Sequence, residues 1–203
     1  MVSSNKKNYV FSCFYVFKLN VFEMKNWFAF VLFCFTQTLS AQVLTGFNAR
    51  YNDAFVEWEV FADSIEAAGS LTMTWQRPDD WTQWSYRLDD KTGIIKTKWQ
   101  KDISQWEVRG ENKTVSAQMM WSNDPREWRI TNNEFSLELK CRLNGNFNEW
   151  VIDDSKRGTF RVFTKYENDP RDWIIEDELT PSVSLPMKMT ILFLVLFNSV
   201  PKH

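Results

Sequence analysis

Histidine is almost absent from this chain: there is one in 203 residues, His203, and it is the last. A Ser–His or Cys–His pair would have to be built on a chain end, so the common nucleophilic hydrolases are a poor fit. No Walker loop, G-x-G-x-x-G, G-x-S-x-G or H-E-x-x-H occurs. The D-x-D-x-D-G spacing of an EF-hand is missing too. These absences predict a protein that is not an enzyme and has neither a metal site nor a cofactor. Long apolar runs are also lacking. Trp27–Phe35 and the twelve residues Met189–Val200 fall short of the roughly twenty that a spanning helix requires.

Met24, Lys25, the apolar run Trp27–Phe35 and then "TQTLSAQ" read as a secretory signal. The ending "LSAQ" resembles signal-peptide ends common in Bacteroidetes and places cleavage before Gln42. Residues 1–41 are therefore set aside as an upstream segment and leader. The leader takes away Lys6, Lys7, Lys18 and Lys25 and also Glu23, three net positive charges, so the formal charge moves from −2 to −5. That balance argues against a nucleic-acid partner. Cys141 alone survives cleavage, so no internal disulfide forms and the exported domain must hold together by its core.

What is abundant is tryptophan, and it is periodic. Trp84, Trp106, Trp128, Trp150 and Trp173 are spaced 22, 22, 22 and 23 residues apart. A second series stands seven residues earlier: Tyr51 before Trp58, then Trp99, Trp121, Leu143 and Tyr166. Such a period marks a repeated supersecondary unit, here two short runs of alternating apolarity. Trp106 and Val108 share one face against Glu107 and Arg109; Val115, Ala117, Met119 and Trp121 share another. Antiparallel sheet with one buried side is the expectation.

Turn residues punctuate the runs. Gly69, Gly93, Gly110 and Gly158 fall in the links within units, and Pro78, Pro125 and Pro170 fall between them. About eleven strands run from Phe55 to Asp177, with a twelfth in "VLTGFNARYN". A meander of that length with one apolar face must close. Met189–Val200 is apolar all round and suits a buried helix. The fold expected is all-β, a closed barrel over 42–180 plugged by a hydrophobic helix in 181–203. A membrane anchor through 187–200 is the competing use of that tail. This layout resembles the tubby-like C-terminal domains and related β-flower barrels, in which about twelve strands surround a central hydrophobic helix. Tubby-like domains bind phosphoinositide headgroups through basic residues, and no motif here carries those positions across.

Candidate ligand contacts follow from phase. Trp58, Trp75, Trp84, Trp99, Trp106, Trp121, Trp128, Trp150 and Trp173 are in register with valines and leucines and read as core. Trp81, in "PDDWTQ", falls outside that register and reads as an exposed contact. Lys96 and Lys98, then Lys140, Arg142, Arg161 and Lys165, alternate outward on return strands and could meet anionic headgroups or acidic polysaccharide. Interspersed Glu107, Glu138 and Asp153 dilute that surface. The acidic pairs Asp89–Asp90 and Asp153–Asp154 and the run Glu176–Glu178 should gather at one barrel end as solubilising turns. Function is expected to be that of an exported, non-catalytic binding or structural module of the cell envelope. The alternative is a membrane-associated tubby-like barrel on anionic lipid.

Overall fold

The computed structural model describes residues 42–51, 54–63, 66–74, 80–143 and 146–202, without the side chain of Leu143. The chain separates into Met1–Leu39 and Ser40–His203, and every described residue belongs to the second unit. The expected leader, Trp75, Pro78, Gly145 and His203 lie outside the described residues.

Twelve strands form a closed antiparallel meander in which each strand pairs with its sequence neighbours and the first pairs with the last. They are β1 (Leu44–Tyr51), β2 (Ala54–Ala62), β3 (Ala67–Met73), β4 (Gln83–Leu88), β5 (Lys91–Thr97) and β6 (Gln105–Gly110), followed by β7 (Lys113–Trp121), β8 (Asp124–Thr131), β9 (Ser136–Leu143), β10 (Asn146–Asp154), β11 (Gly158–Thr164) and β12 (Asp172–Asp177). The twelfth strand expected in "VLTGFNARYN" is β1. It closes the barrel by pairing Gly46, Phe47 and Asn48 with Ile174, Trp173 and Asp172. Closure leaves no edge on which another chain could template.

One helix, α1 (Leu185–Ser199), follows the last strand. Its side chains from Leu185 to Phe197 are all buried, on every face of the helix. Only enclosure by the barrel accounts for burial all round, so α1 is the plug. Fifteen residues at about 1.5 Å each span roughly 22 Å, close to the height of the strands around them. Pro186 sits in the first turn, where a missing N–H costs nothing, and Pro201 follows the last. Because Met187–Val200 fills the barrel, it is not a free tail, and among the described residues no helix is long and apolar enough to cross a membrane.

The helix begins before the apolar run and takes Lys188 inside with it, 2% exposed. Lys188 Nζ meets Asp177 Oδ2 at 2.6 Å and the backbone carbonyl of Gln42 at 2.8 Å. Asp177 in turn accepts the N–H of Leu44 at 3.0 Å. One buried ion pair thus joins the first strand, the last strand and the plug.

Two expectations about turns need correcting. Among the four glycines expected in the reversing links, only Gly158 has a positive φ, at 92°. The reversals elsewhere use Asp63, Asp89, Glu111 and Asn112, whose short or flexible polar chains tolerate the left-handed region. Gly93 and Gly110 lie within β5 and β6, where they make room for a neighbour. A Cβ on Gly93 would stand 2.3 Å from the Tyr86 ring, and one on Gly110 2.1 Å from its hydroxyl oxygen.

Candidate binding rim

The tryptophan period has a local cause. Each of six buried indoles donates its Nε1–H to the backbone carbonyl three residues earlier. The pairs are Trp58 to Phe55 (3.1 Å), Trp84 to Trp81 (3.0 Å), Trp106 to Ile103 (2.9 Å), Trp128 to Pro125 (2.8 Å), Trp150 to Phe147 (3.0 Å) and Trp173 to Pro170 (2.8 Å). A leucine would be as apolar, but it could not satisfy a carbonyl turned inward at the strand entrance.

A second bond precedes it. The side-chain oxygen of the residue four before the indole accepts the N–H two residues on: Asp80 from Thr82, Asp102 from Ser104, Asp124 from Arg126, Asn146 from Asn148 and Asp169 from Arg171. Ala54 holds that place before Trp58, and there the Asx turn is missing. The residue before the Asx takes a positive φ in Lys101 (63°), Asn123 (61°) and Asn168 (58°). "NDPREW" and "NDPRDW" are therefore one device spelled twice: a left-handed entry, an Asx turn, then an indole clamp.

These six entrances lie at the same end of the barrel, because even-numbered strands all run one way. The indoles form a ring there around the C-terminal half of α1. Trp106 meets Phe193 edge-on at 4.5 Å and Phe197 at 4.9 Å. Trp150 Nε1 also reaches Ser199 Oγ at 3.1 Å.

Trp81 belongs to this packing and is not an exposed contact. It is 8% exposed and its ring lies 5.5 Å from that of Trp84. Its position, three before the clamp, is the one where Phe55 stacks on Trp58 and Phe147 on Trp150. An apolar residue there covers the indole, which is why Trp81 departs from the alternation and is buried nonetheless.

The opposite correction applies to the second aromatic series. Trp99 is 59% exposed, Trp121 60%, Tyr166 55% and Tyr51 51%. Alternation would turn them inward, but β5 ends at Thr97 and β11 at Thr164, before their aromatic residues. In β7 the register shifts between Met119 and Trp121, and in β1 between Ala49 and Tyr51. Past the last ladder bond there is no inner face, and the six indoles already fill the space below. The rings therefore stand on the lip.

Their neighbours are cationic. Arg50 lies over Tyr51 at 5.8 Å, Lys98 over Trp99 at 5.8 Å and Lys165 over Tyr166 at 5.3 Å. A groove of about 790 Å³ opens on the same lip, bordered by Lys101, Ile103, Trp121, Phe197 and Lys202. Lys202 Nζ sits 3.5 Å from the centre of the Phe197 ring.

Four acids of this end are engaged. Asp124 pairs with Arg126 and Asp169 with Arg171 at 2.6 Å. The Arg126 side chain, and then its backbone N–H, hold the Asp124 carboxyl down at about 2. Hydrogen bonds from Ser104 lower Asp102, and the Arg171 side chain lowers Asp169. Glu127 accepts from the Trp121 indole at 2.9 Å.

Of the outward bases singled out in the sequence, three lie close together on the wall, and all three are matched. Lys140 pairs with Glu138 at 3.2 Å. Arg142 and Arg161 converge on Glu149 at 3.0 and 2.7 Å, and Arg161 also reaches Glu176 at 3.2 Å. Burial would raise the Glu149 carboxyl, yet the bonds from Arg161 and Arg142 outweigh it and hold the group low. Lys96 likewise pairs with Glu107 at 3.7 Å. Lys165 differs: it stands at the lip, and no carboxylate pairs with it among the described residues. Trp81, inside the barrel, is not part of any surface with these four.

The acidic pairs do collect at the other end, in the turn after β4 and at the ends of β10 and β12, but Asp177 is not a solubilising turn residue, because its side chain is buried against Lys188. Among the described residues, no group of three or more His, Cys, Asp or Glu side chains is arranged to hold a metal ion. Cys141 is half-buried against the core with Sγ 3.3 Å from the Asn146 carbonyl. No family model, curated protein or solved structure matches this chain.

Proposed function

We propose that this barrel is an exported, non-catalytic binding module of the cell envelope, and that its contact face is the lip carrying Tyr51, Trp99, Trp121 and Tyr166. The observation that carries this reading is the split of one aromatic repeat into two fates. Six indoles are buried and hydrogen-bonded, while four aromatic rings at the matching earlier position, two indoles and two phenols, are left half in water. A core has no use for the second set, and large exposed apolar groups gathered at one place mark contact surfaces. The plugged lumen removes the other place where a barrel holds a ligand.

The central helix inside twelve antiparallel strands also supports the tubby-like reading at the level of architecture, in which the barrel associates with a membrane. The wall bases that such a reading would use are already paired with Glu138, Glu149 and Glu176, so the lip is the better candidate.

The test is co-sedimentation with an isolated envelope fraction from the native host. The wild-type protein should pellet with it, and Trp99→Ala/Trp121→Ala/Tyr166→Ala should stay in the supernatant with an unchanged thermal transition. Equal pelleting of both proteins, or none by either, would sink the proposal.

A further inference from the structure

We infer that the aromatic lip docks face-on to an anionic lipid bilayer, with the barrel axis near the membrane normal. This rests on the reading of the lip as the contact face and names its partner.

Geometry favours a plane over a chain. Twelve strands about 4.8 Å apart, tilted about 40°, enclose a barrel about 24 Å across. Six hairpins divide that lip, and among the described residues the exposed rings stand on the first, third, fourth and sixth. Tyr51 and Tyr166 are therefore neighbours on one side, and Trp99 and Trp121 are neighbours on the other. Four contacts in two opposed pairs around a circle meet a flat surface together. A single glycan strand lying across the lip would reach only one or two of them, and a row of stacking platforms along a groove is not what the topology builds.

Chemistry favours an interface. Tryptophan and tyrosine settle where a headgroup region meets hydrocarbon, since each ring has an apolar body and a polar edge. Lysines beside them can lay their methylenes along the rings and reach phosphate oxygens.

Charge fixes the sign and the orientation. Asp102, Asp124 and Asp169 of this lip are engaged by Ser104, Arg126 and Arg171 and Glu127 by the Trp121 indole, which leaves Glu167, beside Tyr166, as an exposed acid among four unpaired lysines. Lys98, Lys101, Lys165 and Lys202 have no carboxylate partner among the described residues. The far end carries Asp89, Asp90, Asp153, Glu176 and Glu178 and would be repelled by the same surface. The barrel is thus a dipole that approaches an anionic bilayer aromatic end first.

The experiment is vesicle co-sedimentation of the purified protein with phosphatidylcholine alone and with about 30% phosphatidylglycerol added. Binding is expected only to the anionic vesicles and should weaken with salt. Lys98→Gln/Lys101→Gln/Lys165→Gln should weaken it by about a hundredfold, on the order of fivefold per charge. Trp99→Ala/Trp121→Ala should abolish pelleting, with the near-UV signal of the buried indoles retained. Arg87→Gln, on the outer wall, should bind as wild type. Binding that survives both lip variants would overturn the inference. So would wild-type protein that pellets with the envelope fraction but with no vesicle, an outcome that leaves the contact face standing and moves its partner to envelope polysaccharide. Pelleting with neither would overturn both readings.

Discussion

Lys188 Nζ and Asp177 Oδ2 lie 2.6 Å apart, with the two side chains 2% and 0% exposed, inside a core that is otherwise almost wholly apolar. The lysine comes from the plug, the aspartate from the last strand, and their shared neighbours Gln42 and Leu44 from the start of the barrel. A buried pair of this kind contributes little net stability over an apolar substitute, because both ions lose their water. It does specify where the helix sits and which strand closes on which.

The consequence is a non-additive pair of variants. Lys188→Met leaves Asp177 charged and buried, and should cost about 3–5 kcal/mol. Asp177→Asn/Lys188→Met removes both charges and should be more stable than Lys188→Met alone. Urea unfolding of the two variants and wild type measures the coupling; a double variant weaker than the single would contradict the buried-pair account.

The indole clamps predict a contrast within one residue type. Trp128→Phe keeps a large apolar ring but orphans the Pro125 carbonyl, and should cost about 1–3 kcal/mol. Trp121→Phe, on the lip, should stay within about 0.5 kcal/mol of wild type. Equal losses in the two would mean the clamp contributes nothing beyond volume.

Close packing around Tyr86 gives a third test. Its hydroxyl is buried without a partner among the described residues, so Tyr86→Phe should be near neutral or stabilising. Gly110→Ala collides with that hydroxyl and should cost about 1–3 kcal/mol. Adding Tyr86→Phe should recover much of that loss. Gly93→Ala meets two ring carbons as well as the hydroxyl, and because the ring stays, the same second change should rescue it far less. Thermal midpoints of the five variants and wild type decide the matter.

The Asx turns predict the acid limb of stability. Asp124, Asp102 and Asp169 are all held below their ordinary values by hydrogen bonds made in the folded state. A carboxyl whose folded value is depressed contributes stability above its unfolded value and loses it as pH falls through the folded one. For Asp124 that window runs from about 4 down to about 2. Asp124→Asn keeps the turn acceptor without the titration, so its thermal midpoint should fall less steeply than wild type across that window. Parallel slopes would show that Asp124 is not among the groups that matter there.

Most of the architecture could be read before any coordinates. The 22-residue spacing located the inward tryptophans, alternation located the strands, and an apolar run with no polar face located the plug. Errors came where local geometry broke the alternation. Counting by twos from Met119 to Trp121 crosses a register shift, and counting from Thr97 to Trp99 leaves the sheet, so lip residues were assigned to the core. Trp81 fell outside the period, but it occupies the place of Phe55 and Phe147 relative to the next indole, where packing decides. Asp80, Asp102, Asp124, Asn146 and Asp169 recur four before each tryptophan, a signal present in the sequence whose meaning depends on seeing the turn. Pairing of Arg142 and Arg161 with Glu149 and Glu176 on adjacent strands had no such signal, since it depends on strand register, whereas Glu138 stands two residues before Lys140 on the same strand.

The most direct measurement is quenching of tryptophan emission by lipids brominated near the headgroup end of the acyl chain, in anionic vesicles. Face-on docking places Trp99 and Trp121 beside the bromines and keeps the six clamped indoles shielded in the barrel. Wild-type emission should therefore be partly quenched, and Trp99→Phe/Trp121→Phe, which still binds because it keeps an aromatic ring at both positions, should be quenched far less. Emission that is indifferent to bromine, or quenching undiminished in that variant, would contradict docking through the lip.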